Sequence, residues 1–438
     1  MKKSIASILS MTLALASLAA CGAQGTAPAA SSGASSEAQT TASEPEVVTY
    51  WYFHTGDEAK VEEEAIAAYN ASQSKYKVEG LSVSDQQKLI VALASNEAPD
   101  AIFSSNSNLT TYYSNGLLQK LDDYISADSF DMGAFSAQAV ESATFDGGVY
   151  GLPTSAVTIQ MFYNKDLLAA AGYTDPPQTM EELYEMAEKI TTLDANGDID
   201  VLGYPLFPFA SARQELIYAF GGRWWAEDGV TLTPDSQGVL DSLKMNVAFR
   251  QKYGTEKVQA FIGTANTNRY TEQDMFFTGK QLFRFDGPWL ATMIAANNPD
   301  LNYGITLVPG TKADPTLRGV SRYETSAAAI PVSASNKEGA WDFIKWLSGP
   351  VGAKIIDCGV GHPPARTDLY EDAEVLSMPA FAEFIESLKL EQGVQYPKIK
   401  DYAKYISLID EHLDYVYNGT MSPEDAMAAL AEQANGLS

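Results

Sequence analysis

Asp286-Gly287-Pro288-Trp289 sets a carboxylate and an indole on either side of a Gly-Pro turn. A sugar ring calls for that combination. Its apolar face stacks on an indole, and its hydroxyls need planar Asp, Asn, Arg or Glu partners, since a buried polar group without one costs roughly 1–3 kcal/mol. The bland role for Trp289 is a core tryptophan in a tight turn. Trp224-Trp225 follows Gly221-Gly222 in a stretch, 223–229, that reads as surface. Two adjacent indoles are not expected to share one core, so at least one is a candidate for a binding cleft.

Catalytic signals are absent. The three histidines, His54, His362 and His412, sit in no recognisable motif, and there is no G-x-S-x-G. With 56 acidic residues almost any carboxylate pair can be nominated for glycoside hydrolysis, so an extracellular hydrolase has no specific support. No cofactor is implied and no enzyme is expected. Asp194, Asn196 and Asp198 begin like a calcium loop, but the sixth position lacks Gly and the twelfth is Pro205, so a plain Asx-rich turn competes with metal binding. Glu62-Glu63-Glu64 reads as a solvated helix face, and Tyr112-Tyr113 as core or cleft packing. Cys358 reads as a small buried apolar residue.

Strands and helices alternate around these residues, which predicts an α/β fold. Val47 to Phe53 is β-rich and leads into a helix with Val61, Ala65, Ile66 and Tyr69 on one face. Ala98 to Phe103 is a turn into a short buried strand, followed by a polar loop over 104–108. Thr179-x-x-Glu182 fits a capping box ahead of Leu183, Met186, Ala187 and Ile190. Ala340, Phe343, Ile344 and Leu347 repeat that spacing, and Ser422-Pro423 reads as a helix start.

Lys2 and Lys3 precede an apolar, small-residue stretch, Ile5 to Ala20, that no charge interrupts and that ends in Leu18-Ala19-Ala20-Cys21, the layout of a secretory leader. The ending resembles a bacterial lipobox, which implies a leader over 1–20 and lipid on Cys21. Residues 21–46, rich in Ala, Ser, Thr and Gly, are expected to form a disordered tether. The expected address is the outer face of the cytoplasmic membrane, held by the lipid anchor only. About 390 residues remain, enough for two domains or lobes. The net charge of −27 repels phosphate backbones, so no nucleic-acid partner is expected.

Several stretches match one family in order. They are Ala98-Pro99-Asp100-Ala101, Asn115-Gly116-Leu117-Leu118, Leu121-Asp122-Asp123-Tyr124, Gly148-Val149-Tyr150-Gly151-Leu152-Pro153 and Tyr163-Asn164-Lys165-Asp166-Leu167. Pro177 to Leu183, Gly221-Gly222, Phe277-Thr278-Gly279-Lys280, Asp286 to Trp289 and Ala340 to Leu347 complete the series. Together they resemble the extracellular solute-binding proteins of ABC sugar importers, the maltose-binding-protein-like family. The resemblance implies a type II two-lobe fold with hinge strands and a cleft between discontinuous lobes. Lobe one would take 47–154 and 327–365; lobe two would take 155–326 and 366–438. It also implies a monomer that hands a carbohydrate to ABC-transporter permease subunits.

Open α/β sheets bind ligands beyond the carboxyl ends of their strands. That rule and the resemblance pick out His54, Thr55 and Asp57 after the first strand, and Ser104, Asn106 and Ser107 after the second. The resemblance adds Asp286 with Trp289, Tyr150 before the first crossing, and Arg322, Tyr323 and Glu324 near a hinge. An Arg–Glu salt bridge is an equal reading of that last group. Trp224, Trp225 and Tyr402, near the family's late stacking aromatic, complete the candidates. The loop after Phe103 carries small polar residues, and position 157 is Val, where the maltose-binding pattern has aromatic, charged and acidic side chains. The class is therefore implied, and maltodextrin specificity is not. A non-sugar solute such as a polyamine, favoured by the acidic balance, is the alternative ligand.

Overall fold

Val48, Tyr50 and Tyr52 alternate with more exposed residues along β1 (Glu46–Tyr52), and the alternation buries one face of the strand. In the computed structural model, which describes residues 44–95, 97–206 and 210–437, β1 is an inner strand of the lobe-one sheet, one place from its edge. The expected leader, Cys21 and most of the tether lie outside the described residues. β1 pairs in parallel with β2 (Tyr76–Ser82) and β3 (Ala101–Ser105). Helix α1 (Gly56–Ser72) brings Ala65, Ile66 and Tyr69 onto the β1 face. The polar loop expected after Phe103 is instead the end of β3 running directly into α2 (Asn106–Ser114).

Two long strands tie the lobes together. β4 (Leu152–Thr158), buried at every residue, leaves lobe one and, after Ile159 alone, becomes β5 (Gln160–Asn164) of lobe two. β5 is the centre of an antiparallel sheet with β6 (Phe283–Asp286) and β7 (Tyr303–Thr306). β8 (Ser321–Ala329) crosses the other way. It runs antiparallel to β4 and β3, with a bulge between Thr325 and Ala327, and its start pairs in parallel with β9 (Gly393–Val394).

The short α3 (Lys165–Ala170) follows β5, and lobe two packs Met161, Phe283 and Phe285 of its sheet against α4 (Met180–Ile190), α6 (Gln237–Tyr253) and α7 (Thr255–Thr267). The capping box on α4 is formed: Thr179 Oγ1 accepts the Glu182 N–H and Glu182 Oε2 accepts the Thr179 N–H, both at 3.3 Å. α5 (Ala210–Tyr218) lies against β6 and β8. The indoles of Trp224 and Trp225 join a second core with α11 (Tyr402–Tyr417) and α12 (Pro423–Ala434). α8 (Trp289–Asn297) follows β6. Before α11, α9 (Lys337–Leu347) covers the lobe-one sheet and α10 (Phe381–Leu388) packs on β4. No described helix is long and apolar enough to cross a membrane.

Candidate functional site

The β8–β3 pairing places Ser326 beside Ser105, the last residue of β3, so residues 322–324 extend past the carboxyl ends of the lobe-one strands. Alternation then divides them. Arg322 and Glu324 share one face, where Arg322 Nη2 lies 3.3 Å from Glu324 Oε2. Glu324 Oε1 accepts from the Tyr396 hydroxyl at 2.7 Å. Tyr396 meets Tyr402 edge-on at 5.6 Å, and Tyr402 meets Trp225 edge-on at 6.1 Å. Three aromatic rings and an Arg–Glu pair thus converge where the chain crosses between lobes.

Tyr323 points the other way. It is buried, and its hydroxyl lies 2.9 Å from Ser136 Oγ, inside the hinge core with Phe381 and Ile385. Glu215, on α5, accepts the Arg322 backbone N–H, and Gln214 Oε1 accepts from Arg322 Nη1 at 3.2 Å. Burial pushes the Glu215 carboxyl up to about 8, against the pull of Arg322. A groove of about 400 Å³ adjoins this group, walled by Gln138 and Glu141 of lobe one, Arg223 and Trp225 of lobe two, and Gln395 and Tyr396.

A second group lies beyond β1. His54 is buried with its Nδ1 2.7 Å from Glu62 Oε1, and Glu62 also accepts from the Tyr50 hydroxyl at 3.0 Å. Glu62 is therefore no solvated residue: it is fully buried, unlike Glu63 and Glu64. Asp357, in a π-helical turn over 354–358, is fully buried beside Glu62, and burial holds its carboxyl well above the usual range. Burial and His54 push the His362 imidazole down to about 3. His362 faces Trp289 of lobe two.

The Asp286–Trp289 turn is built differently from the simple expectation. The indole folds over Gly287, where an added Cβ would overlap the Trp289 ring and displace it. Trp289 Nε1 donates to the Tyr270 hydroxyl at 2.7 Å, and that hydroxyl donates to Asp286 at 3.0 Å. Asp286 is fully buried and also ion-paired with Arg284, at 2.7 Å. Its place is inside lobe two, orienting the tyrosine that orients the indole. Trp289 itself stays partly exposed.

Trp224 is a core residue, 1% exposed, whose carbonyl accepts from the Tyr405 hydroxyl at 2.6 Å. Trp225 is nearly as buried, with Nε1 on the Gln395 carbonyl at 3.0 Å. Both indoles are buried in one core, against the expectation that two adjacent indoles would not share one, while Glu227 and Asp228 of the same stretch are exposed. Thr55 and Asp57 are exposed at the start of α1, where Asp57 pairs with Lys60. Ser104 and Asn106 are buried at the β3–α2 junction, and Ser107 Oγ lies 3.1 Å from Ser105 Oγ. Tyr150 packs against Tyr113 and Phe145. Tyr112 fills the lobe-one core. Cys358 is half-buried, its thiol raised to about 12 by burial.

The Asp194 loop closes on itself. Asp194 Oδ1 accepts the N–H groups of Asn196 and Asp198 at 2.8 and 2.9 Å, and the Lys257 ammonium binds the Gly197 carbonyl. Among the described residues no group of three or more His, Cys, Asp or Glu side chains is arranged to hold a metal.

Residues 64–383 match the model of the bacterial extracellular solute-binding protein family, and the chain belongs to that family. It is 26% identical over 312 residues to a maltotriose-binding protein of Pyrococcus abyssi, spanning 69% of this chain and 63% of that one. The chain thus spans under two thirds of that relative's length. It is 24% identical over 385 residues to a maltooligosaccharide ABC transporter solute-binding lipoprotein of Streptococcus pneumoniae, spanning 85% and 82%. The fold of the mannobiose-bound protein CpMnBP1 superposes with a TM-score of 0.76 at 24% identity, covering 90% of this chain and all of that one.

Gln214, Glu215, Tyr270, Asp357 and Tyr396 were not singled out by the sequence. Each acts through a partner distant in the chain, so no local spacing marks it.

Proposed function

We propose that this protein is the extracytoplasmic substrate-binding lipoprotein of an ABC importer, capturing a neutral mono- or oligosaccharide between its lobes and delivering it to the permease. The observation that carries this reading is the crossing-strand constellation. Arg322 and Glu324 supply planar hydrogen-bonding groups beside the rings of Tyr396, Tyr402 and Trp225, the pairing a sugar's hydroxyls and ring faces require. Trp289, held by Tyr270, offers an aromatic surface from lobe two, and His54 and Asn106 offer polar groups from lobe one. The sugar ligands named for the relatives support the same class. The protein performs no chemistry on its ligand; closure about the hinge is its working motion.

The lobes run as 47–154 with 327–365 and 155–326 with 366–438. Cys21 carries the lipid that holds the receptor near its transporter. Substituting Cys21→Ala should release the protein from the membrane fraction. A thermal-shift screen across neutral oligosaccharides, uronates and polyamines tests the ligand class. Stabilisation by a polyamine alone would contradict it, and release of reducing sugar would make the protein a hydrolase.

A further inference from the structure

Glu215 is the buried ionisable group at the hinge that sugar capture, as described above, leaves without a role. It belongs to α5 in lobe two, and both its carboxylate oxygens lie within hydrogen-bond distance of one donor, the Arg322 N–H, at 3.3 and 3.2 Å. A lobe-two helix therefore grips the crossing strand at the residue that brings a guanidinium to the cleft. Gln214, one position earlier, holds the guanidinium itself through Nη1. Glu324 holds Nη2, and the buried Nε has no partner among the described residues. The main chain and the side chain of Arg322 are thus fixed by separate groups, and α5 supplies both the main-chain contact and one of the two side-chain contacts.

We infer that Glu215 is a positioning residue of the interlobe site, holding Arg322 in its ligand-binding pose, and that the charge on Glu215 modulates affinity for a neutral oligosaccharide. The inference rests on the sugar-binding reading above. The charged and titratable groups facing Glu215 are Arg322 and Glu324 on β8, Arg223 beyond the end of α5, and Tyr218 on α5 itself. Burial raises the carboxyl, Arg322 and Arg223 lower it, and Glu324 raises it, so it titrates near a pH of about 8. Below that point Glu215 is neutral, and Glu324 is the carboxylate that balances Arg322. Above it the anion strengthens its bond to the Arg322 N–H and competes with a ligand for the charge of the guanidinium held in place by Gln214 and Glu324. Affinity accordingly falls as pH rises.

The test is calorimetry of the full chain with maltotriose and with mannobiose, at about pH 6.5 and about pH 9.5, on either side of the Glu215 titration. Hydrogen exchange at the Arg322 amide is followed on the same samples, for wild type, Glu215→Gln and Glu215→Ala. Wild-type affinity should fall roughly three- to tenfold across the interval, the scale of one hydrogen bond. Glu215→Gln retains an acceptor but cannot ionise, so it should keep the amide protected and lose the pH step. Glu215→Ala should speed exchange at Arg322 by about tenfold. Unchanged exchange in Glu215→Ala, or a pH step that survives in Glu215→Gln, overturns the inference. A Glu215 that merely supports the fold would lower the melting temperature of both variants and leave the pH step in place. If neither sugar binds any of the three proteins, the choice of ligand fails, and the exchange measurement alone decides whether Glu215 holds Arg322.

Discussion

The indole of Trp289 and the imidazole of His362 meet edge to face, with ring centroids 5.5 Å apart and an interplanar angle of 62°. Trp289 opens α8 of lobe two. His362 ends a segment of lobe one in which Gly359 lies against Val61 of α1. The contact therefore bridges the lobes, and the indole is held there by Tyr270.

Replacing Trp289 with Ala removes both the bridge and the aromatic surface. Loss of that much buried apolar contact is worth about 2 kcal/mol, roughly thirtyfold in Kd for a bound sugar. Trp289→Phe should recover part of the loss. Equal affinities for wild type and Trp289→Ala by calorimetry would take Trp289 out of the site.

Asp286 makes a different prediction. It is buried among Arg284, Tyr270 and the Gly287 N–H, and Arg284 is held on its other side by Asp274 at 2.8 Å. Asp286→Ala leaves that arginine short of one carboxylate in the interior, a loss of about 3–5 kcal/mol. The readout is a large drop in melting temperature. A variant that melts with the wild type would mean the ion pairs contribute nothing to folding.

The buried carboxyl of Asp357 sets a pH slope. Burial and the nearby Glu62 raise it in the folded chain above its unfolded value of about 3.9. Its contribution to stability is then fully present below that unfolded value and lost as pH rises through the folded one. Wild type should lose stability between about pH 5 and about pH 8, and Asp357→Asn should lose less over that interval, keeping the fall due to Glu215 and the opposing rise due to the depressed His362 imidazole. Denaturant melts at the two pH values check this, and an Asp357→Asn chain less stable than wild type at the higher pH contradicts it.

Calcium should leave the melting temperature unchanged. The Asp194 carboxylate is committed to two backbone N–H groups, and an ammonium group already occupies the Gly197 carbonyl. A rise in melting temperature that EDTA reverses would show that the loop opens to bind the ion.

Much of the fold was legible because it is written locally. The α4 capping box, the apolar stripes of α4 and α9 and the β1 alternation each depend on residues within a few positions of one another. Of the residues read as site candidates, Arg322 pairs with Glu324, Tyr402 meets Trp225, and Trp289 meets His362. Other placements were set by the third dimension. The Glu62 carboxylate is buried by Tyr50 and His54, against the solvated-face reading of three consecutive acids. Both indoles of Trp224-Trp225 are buried because one core, built with α11 and α12, takes them together, with the Trp225 N–H satisfied by the Gln395 carbonyl. Asp286 turns inward because Arg284, two residues earlier on the same face of β6, requires a counter-charge. The loop expected at 104–108 became a strand–helix junction because nothing in its composition breaks a helix.

The most direct test is isothermal titration of the purified chain against a panel of neutral mono- and oligosaccharides, including maltotriose, mannobiose and galactooligosaccharides. The account predicts saturable one-site binding of at least one sugar, weakened by Trp289→Ala, with no sugar hydrolysed during the titration. Flat traces across the panel from a chain that melts cooperatively would contradict the carbohydrate assignment.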